Sequence, residues 1–187
     1  PLEIRLHGRP FAVVMRTPGD DRALAAGFLL SEDVVARADE IGAMAYCQDA
    51  ENVLNVTLAG DAAGRLEQLL ASRRQVTTNS SCGLCGRLTI ESLTVHRPVL
   101  GGGWTIAPEL LAALPERLRG AQRLFDQTGG LHVAGLFAPD GRLETVAEDV
   151  GRHNAVDKVV GRMLPIANRV LCVSGRGSFE IVQKVYL

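Results

Sequence analysis

The sequence predicts an α/β layer fold. Strand-like and helix-like hydrophobic periods alternate along the chain, and its second half runs strand, strand, helix, strand, helix. Two polar loops there, Asp149–His153 and Ser174–Gly177, fall where a strand ends and a helix begins, which is where ligands bind in open α/β sheets. At 187 residues the chain is long enough for one large domain or two small ones. A domain of this size buries roughly 70% of its unfolded surface, so no disulfide or metal staple is required.

The elements follow in order. Leu2, Ile4 and Leu6 alternate with polar residues, His7-Gly-Arg-Pro10 supplies a turn, and Phe11–Arg16 is again strand-like, which predicts a β-hairpin. Thr17-Pro-Gly-Asp20 has the spacing of a helix start with proline at the first helical position. The helix is predicted to run to about Leu30 with Leu24, Phe28 and Leu29 inward. Ile41–Cys47 and Val53–Leu58 predict two strands joined by a polar turn, and Ala62–Arg74 a second helix carrying Leu66, Leu69 and Leu70. The stretch Gln75–Gly86 breaks the periodicity, and its Ser, Thr, Asn and Gly content marks a loop. The domain boundary is placed there, giving a smaller N-terminal α/β domain at residues 1–74 and a second domain at residues 75–187.

Gly101–Gly103 is a second flexible point, and Pro108 and Pro115 each read as a helix start, the later helix ending at Gly129-Gly130. Next come strand Leu131–Ala138, turn Pro139–Gly141 and strand Arg142–Glu148. A helix is predicted from about Asn154, where Asn154-x-x-Asp157 resembles a capping box. Strand Arg169–Ser174, the turn Gly175–Gly177 and a helix from Ser178 complete the series.

Composition excludes several classes. Hydrophobic residues make up 47% and charged residues 22%, as in a soluble globular protein. No apolar run is long enough to cross a bilayer, and the first residues read as a strand rather than a signal peptide, so a cytoplasmic protein without a membrane partner is expected. Twenty basic against 21 acidic residues, with no Lys/Arg run, argue against nucleic acid. Lys158 and Lys184 are the only lysines in an arginine-rich chain, a bias without functional weight by itself.

The four cysteines do not form a disulfide framework. Cys47 and Cys172 lie in apolar strand-like runs and read as core residues. Cys82 and Cys85 form a C-x-x-C pair with glycine after each, and such a pair serves as half a zinc site, a redox dithiol or a nucleophilic thiolate with a helper thiol. Zinc is disfavoured because no second pair of ligands stands at a recognisable spacing, so no structural metal is expected. A thioredoxin-like dithiol would sit at a strand-to-helix junction, and this pair instead follows a long polar loop. Glycine flanks let another protein approach the sulfur, which suits a thiolate that accepts and hands on a sulfur atom.

Ser174-Gly-Arg-Gly177 would aim backbone N–H groups and a positive helix end at an anion, with Arg176 adding a bidentate contact. A ligand-free tight turn is the plain alternative. Glu148–His153 concentrates acid, base and imidazole at one helix start, for which a capping and salt-bridge network is the plain alternative. His153 also falls where zinc deaminases place a ligand histidine, but the catalytic glutamate and the cysteines of their signature are absent. The scaffold is compatible with such a fold, and the chemistry is not. His7, His96 and His132 read as structural or surface residues.

The segments Thr17-Pro18, Ala26–Glu32, Ser80–Gly86, Thr128–His132, Glu148–Lys158 and Ser174–Lys184 together resemble the FdhD family, the formate dehydrogenase accessory sulfurtransferases. They occur in the family's order across nearly the whole chain. The resemblance implies a three-layer cytidine-deaminase-like α/β domain beside the smaller N-terminal one, usually in a homodimer. It implies transfer of sulfur from a cysteine desulfurase to the molybdenum or tungsten bis-guanine-dinucleotide cofactor destined for formate dehydrogenase. Cys82 would hold the persulfide and Cys85 would assist, while Arg152, His153, Gly175, Arg176 and Gly177 are the candidates for the cofactor. A non-catalytic nucleotide-binding chaperone and a dithiol redox protein are the alternatives. Family members run on past the point matching Leu187, with a segment that contacts the guanine dinucleotide, so a chain shortened at its C-terminus is expected.

Overall fold

The computed structural model describes residues 1–48, 50–73 and 103–186. The Cys82–Cys85 loop, His96 and the expected boundary at residue 74 lie outside the described residues. The first half contains β1 (Leu2–Leu6), β2 (Arg9–Val14), α1 (Asp21–Ser31), β3 (Ile41–Cys47), β4 (Ala50–Leu58), α2 (Gly60–Gly64) and α3 (Leu66–Arg73). Among the described residues the strands form a sheet in the order β2-β1-β4-β3, antiparallel except for the β1–β4 pair. The two-residue pleat of β1 puts Leu2, Ile4 and Leu6 on one face, all fully buried. The predicted hairpin is present, its turn made by His7 and Gly8, both at positive φ, the geometry that matches strand twist.

The second half contains α4 (Pro108–Arg119), α5 (Arg123–Thr128), β5 (His132–Phe137), β6 (Leu143–Asp149), α6 (Arg152–Arg162), β7 (Val170–Val173) and α7 (Phe179–Tyr186). Among the described residues a three-stranded antiparallel sheet runs β6-β5-β7. Alternation along β5 feeds two cores. Ala134 and Leu136 pack with Val156, Val159 and Val160 of α6, whereas Val133 and Phe137 pack with Leu114 and Leu118 of α4. Helices therefore cover both faces of this sheet. No helix among the described residues is long and apolar enough to cross a membrane.

Four local expectations are corrected. The first helix starts at Asp21 rather than Thr17, because Asp20 adopts a left-handed conformation (φ 57°) and Thr17 is engaged elsewhere. Pro115 does not start a helix but lies inside α4, where burial of Leu114 and Leu118 on either side outweighs the lost backbone hydrogen bond. The helix expected over 62–74 is broken into α2 and α3. Asn154 is not a cap, since α6 begins at Arg152 behind Gly151, and its side chain donates instead to Met15 O (2.6 Å) and Asp149 Oδ1 (2.9 Å).

The two sheets are joined by α1 against α6. A Cβ on Gly27 would overlap the Asp157 carbonyl oxygen and stand 2.8 Å from its Cα, and one on Gly161 would overlap the Ala23 carbonyl and stand 2.8 Å from Gly27 N. The two backbones touch there, and one apolar cluster runs from Leu2 and Leu24 through Val156 to Leu136. Both lysines lie in this seam. The Lys158 ammonium reaches Asp149 Oδ2 (2.7 Å), Thr17 O (2.9 Å) and Glu148 O (3.4 Å), so each of its three donors has an acceptor. Asp157 accepts from Ser31 Oγ (2.8 Å) and Lys184 Nζ (2.6 Å). Burial pushes the Asp157 carboxyl up, and Lys184 and Ser31 pull it partly back.

Gly27→Ala is expected to cost about 3 kcal/mol in urea unfolding, because the helices must part to admit the methyl group. Gly64→Ala, in open space, should change stability by less than about 1 kcal/mol. Lys158→Met strands the Asp149 carboxylate and is expected to cost about 3–5 kcal/mol; a loss below 1 kcal/mol would show that the pair does not hold the seam.

Candidate functional site

Because β5 is antiparallel to both neighbours, its first residue lies at the sheet end where β6 and β7 finish. His132 stands opposite Asp149, and Ala134 opposite Val173. The segments Thr128–His132, Asp149–His153 and Ser174–Gly177 converge at that end. The first and third border a cleft of about 390 Å³ lined by Gln122, Phe125, Gly129, Gly130, Leu131, His132 and Ser174.

Each wall has a local cause. Helix α5 ends at Gly129 in the left-handed conformation (φ 67°), a C-terminal stop that glycine makes without strain. The other end of α5 is held by Glu148, whose carboxylate accepts from Leu124 N (2.8 Å) and Phe125 N (2.7 Å), a negative group on the positive helix end. The Arg119 guanidinium lies 4.8 Å from the centre of the Phe125 ring. Ser174 extends the β5–β7 ladder: its N–H donates to Val133 O and its Oγ accepts from Val133 N, both at 3.0 Å.

The β6–α6 loop is fixed from the N-terminal half. Asp149 accepts from Thr17 N (3.0 Å) through Oδ2, and from Gly151 N (2.9 Å) through Oδ1. Val150 N donates to Thr17 Oγ1 (2.9 Å). The next two residues are Arg152 and His153. A Cβ on Gly175 would stand 3.1 Å from Arg152 Cδ and 3.6 Å from His132 Nδ1, so Gly175 is the point where these two side chains meet the backbone. Arg152 Nε is buried and has no hydrogen-bond partner among the described residues.

His153 Nε2 lies 2.7 Å from Glu180 Oε2, with about 14% and 10% of the two side chains exposed. The ring nitrogen is nonetheless off the line of a hydrogen bond. Burial, reinforced by Arg152, Lys184 and His132, lowers the His153 pKa to about 4. The Glu180 carboxyl works in the opposite direction, but with misaligned geometry the burial effect prevails and the imidazole is neutral at pH 7.

Arg152, His153 and Gly175 are thus brought together. Arg176 and Gly177 are exposed at the rim, and open space surrounds the position of a Gly177 Cβ. The capping and salt-bridge alternative holds for Glu148 and Asp149, whose side chains are structural. Sequence reasoning missed His132, which lines the cleft, and Glu180. The spacing of Glu180 to Lys184 repeats that of His153 to Asp157, a four-residue match that could have signalled two paired helix faces.

The architecture and cleft define an α/β protein whose sheet end bears a cleft with arginine and imidazole beside it. The chain belongs to the FdhD/NarQ family, whose model matches residues 1–187, as the sequence motifs indicated. The sulfur carrier protein FdhD of Streptomyces avermitilis is 51% identical over 205 residues, covering 100% of this chain and 71% of the relative. That of Streptomyces coelicolor is 50% identical over 199 residues with the same coverage of both chains. The Mycobacterium tuberculosis protein is 44% identical over 204 residues, covering 100% of this chain and 73% of its own. A crystal structure assigned as a formate dehydrogenase accessory protein from Desulfotalea psychrophila superposes with a TM-score of 0.72 at 24% identity. It covers 99% of this chain and 68% of that one, and shows the shared fold.

The lowered His153 pKa has a pH consequence. Between about pH 4 and 6.5 the unfolded chain binds the proton that the folded chain refuses, so stability falls as pH drops through that window. The loss attributable to His153 is at most about 3 kcal/mol. Urea unfolding of wild type and His153→Gln at pH 7, 6 and 5 should show the wild type losing stability relative to the variant as pH falls; parallel curves would contradict it.

Proposed function

We propose that this chain is a sulfur carrier that serves formate dehydrogenase. It takes sulfur from a cysteine desulfurase and passes it to the molybdenum or tungsten bis-guanine-dinucleotide cofactor. The match along the whole chain to relatives named as sulfur carrier proteins carries this reading. In it, the Cys82 thiolate attacks the outer sulfur of the donor persulfide, the donor S–S bond breaks, the donor thiolate leaves, and Cys82 holds the new persulfide. Cys85 assists. The client cofactor is the substrate, and its phosphates are met by Arg152, His153 and the Gly175–Gly177 turn. The sheet end supports this ligand role: a buried Arg152 Nε without a partner among the described residues, a glycine turn beside it and the starts of two helices all suit an anionic group.

In the same reading residues 75–187 form the site-bearing, deaminase-like three-layer domain and residues 1–74 the smaller one. The protein works as a cytoplasmic homodimer without a structural metal.

Intact-mass spectra after desulfurase loading test the proposal. Wild type should gain one sulfur, Cys82→Ala should gain none, and Cys85→Ala should load but pass sulfur on more slowly. Undiminished loading of Cys82→Ala would sink the assignment. Guanine-nucleotide binding with no persulfide under any loading condition would favour the nucleotide-binding chaperone, and a Cys82–Cys85 disulfide cycling at physiological potential would favour the redox protein.

A further inference from the structure

Helices α6 and α7 meet through two polar pairs with matched spacing. Asp157 meets Lys184, and one turn earlier on both helices His153 meets Glu180. The first pair is a hydrogen-bonded ion pair at 2.6 Å whose two side chains are 2% and 10% exposed, and it fixes the register of α7 on α6. With that register set, the carboxyl of Glu180 has to face the imidazole of His153. The second pair differs in kind: it lies at the sheet end beside Arg152, Gly175 and His132, and its 2.7 Å approach closes no linear hydrogen bond.

We propose that His153 and Glu180 form a proton-holding pair behind the cleft, so that entry of an anionic group beside Arg152 draws one proton from solvent onto His153. The inference rests on the reading of the cleft as the site for the client's phosphates and adds its regulation. In the empty protein the pair is a neutral imidazole facing a carboxyl group. The groups around it are Arg152 and Asp157 on α6, Glu180 and Lys184 on α7, and His132 on β5; burial first, and then the positive charge of Arg152, Lys184 and His132, keeps the ring neutral. An anion offsets that charge, the ring takes up a proton to become imidazolium, and Glu180 supplies the counter-charge on its other side. A nearby opposite charge raises a histidine pKa by about 1–3 units, enough to carry His153 from about 4 into the range between pH 5 and 7. Anion affinity then falls as pH rises through that range, by up to about tenfold per pH unit at the limit of one linked proton.

Sulfate is the probe, since it has no titrating proton between pH 5 and 8. NMR titration of the four histidine rings of the 187-residue chain, with and without saturating sulfate, reads the His153 midpoint directly. The expected result is an upward move of about 1 unit or more on adding sulfate. Glu180→Gln keeps the shape of the pair without its charge and should return the sulfate-bound midpoint toward its free value. If Gly151 and Gly175 amide signals report sulfate binding while the His153 midpoint stays put, the proton-holding pair is overturned and the ligand site stands. If Glu180→Gln leaves the shift intact, Glu180 has no part in it. If sulfate moves neither the amides nor the ring, the ligand reading of the cleft falls as well.

Discussion

Helices α1 and α6 approach so closely at Gly27 and Gly161 that their backbones touch, and nearly every other feature of the molecule depends on that contact. Helix α1 belongs to the first sheet and α6 to the second. Any larger residue at either glycine would drive the two apart and open the apolar cluster that both sheets share. The contact also fixes α6 along its axis, and α6 carries Arg152 and His153 at its first turn. A packing constraint between two glycines is thereby converted into the position of Arg152 and His153 at the sheet end where α6 begins.

Such a seam buries backbone where charge is costly, yet it holds two lysines and two aspartates. Removing these groups from water costs several kcal/mol per ion, so they persist only where every donor and acceptor is matched. Lys158 meets that condition with three acceptors, and Asp149 with donors from Thr17, Gly151, Asn154 and Lys158. What the network supplies is alignment. An apolar seam would tolerate sliding of α1 over α6, whereas the Asp149 carboxylate accepts only one arrangement of the strand end, the loop and the neighbouring half. A compact ammonium suits these pockets in a way that a planar guanidinium does not, which gives a physical reason for lysine to stand at 158 and 184 in a chain that otherwise uses arginine.

Periodicity made the hairpin, both sheets' strands and the loops of the cleft end legible, because burial of one strand face writes a two-residue alternation into the sequence. It gave no access to contacts between distant segments. Thr17 looked like a helix start because Thr-x-x-Asp is a local pattern; its hydroxyl and N–H are spent on Val150 and Asp149, more than a hundred residues away. Pro115 looked like a helix boundary for a similar reason, since a local rule is overridden when leucines on both sides are buried against a sheet. His132 was assigned to structure because a lone histidine beside a strand carries no pattern, and only the antiparallel register of β5 brings it opposite Asp149. Family motifs, by contrast, named Arg152, His153 and Gly175, which the fold brings to one place.

The Glu148–Lys158 run shows why motif and chemistry have to be separated. Within this one segment Glu148 caps α5, Asp149 and Lys158 lock the seam, Asn154 ties back to Met15 just after β2, and Asp157 anchors α7. Arg152 and His153 stand apart from this set, at the sheet end beside Gly175 and His132. The alternation follows from the helix itself: residues 154, 157 and 158 share the face directed at the first half, while the opening turn lies at the sheet end. The density of acid, base and imidazole in this run is mostly the polar lining of an interface. Its effect on the site comes through position, because the same carboxylate that holds Thr17 also holds the N–H of Gly151, one residue before the arginine.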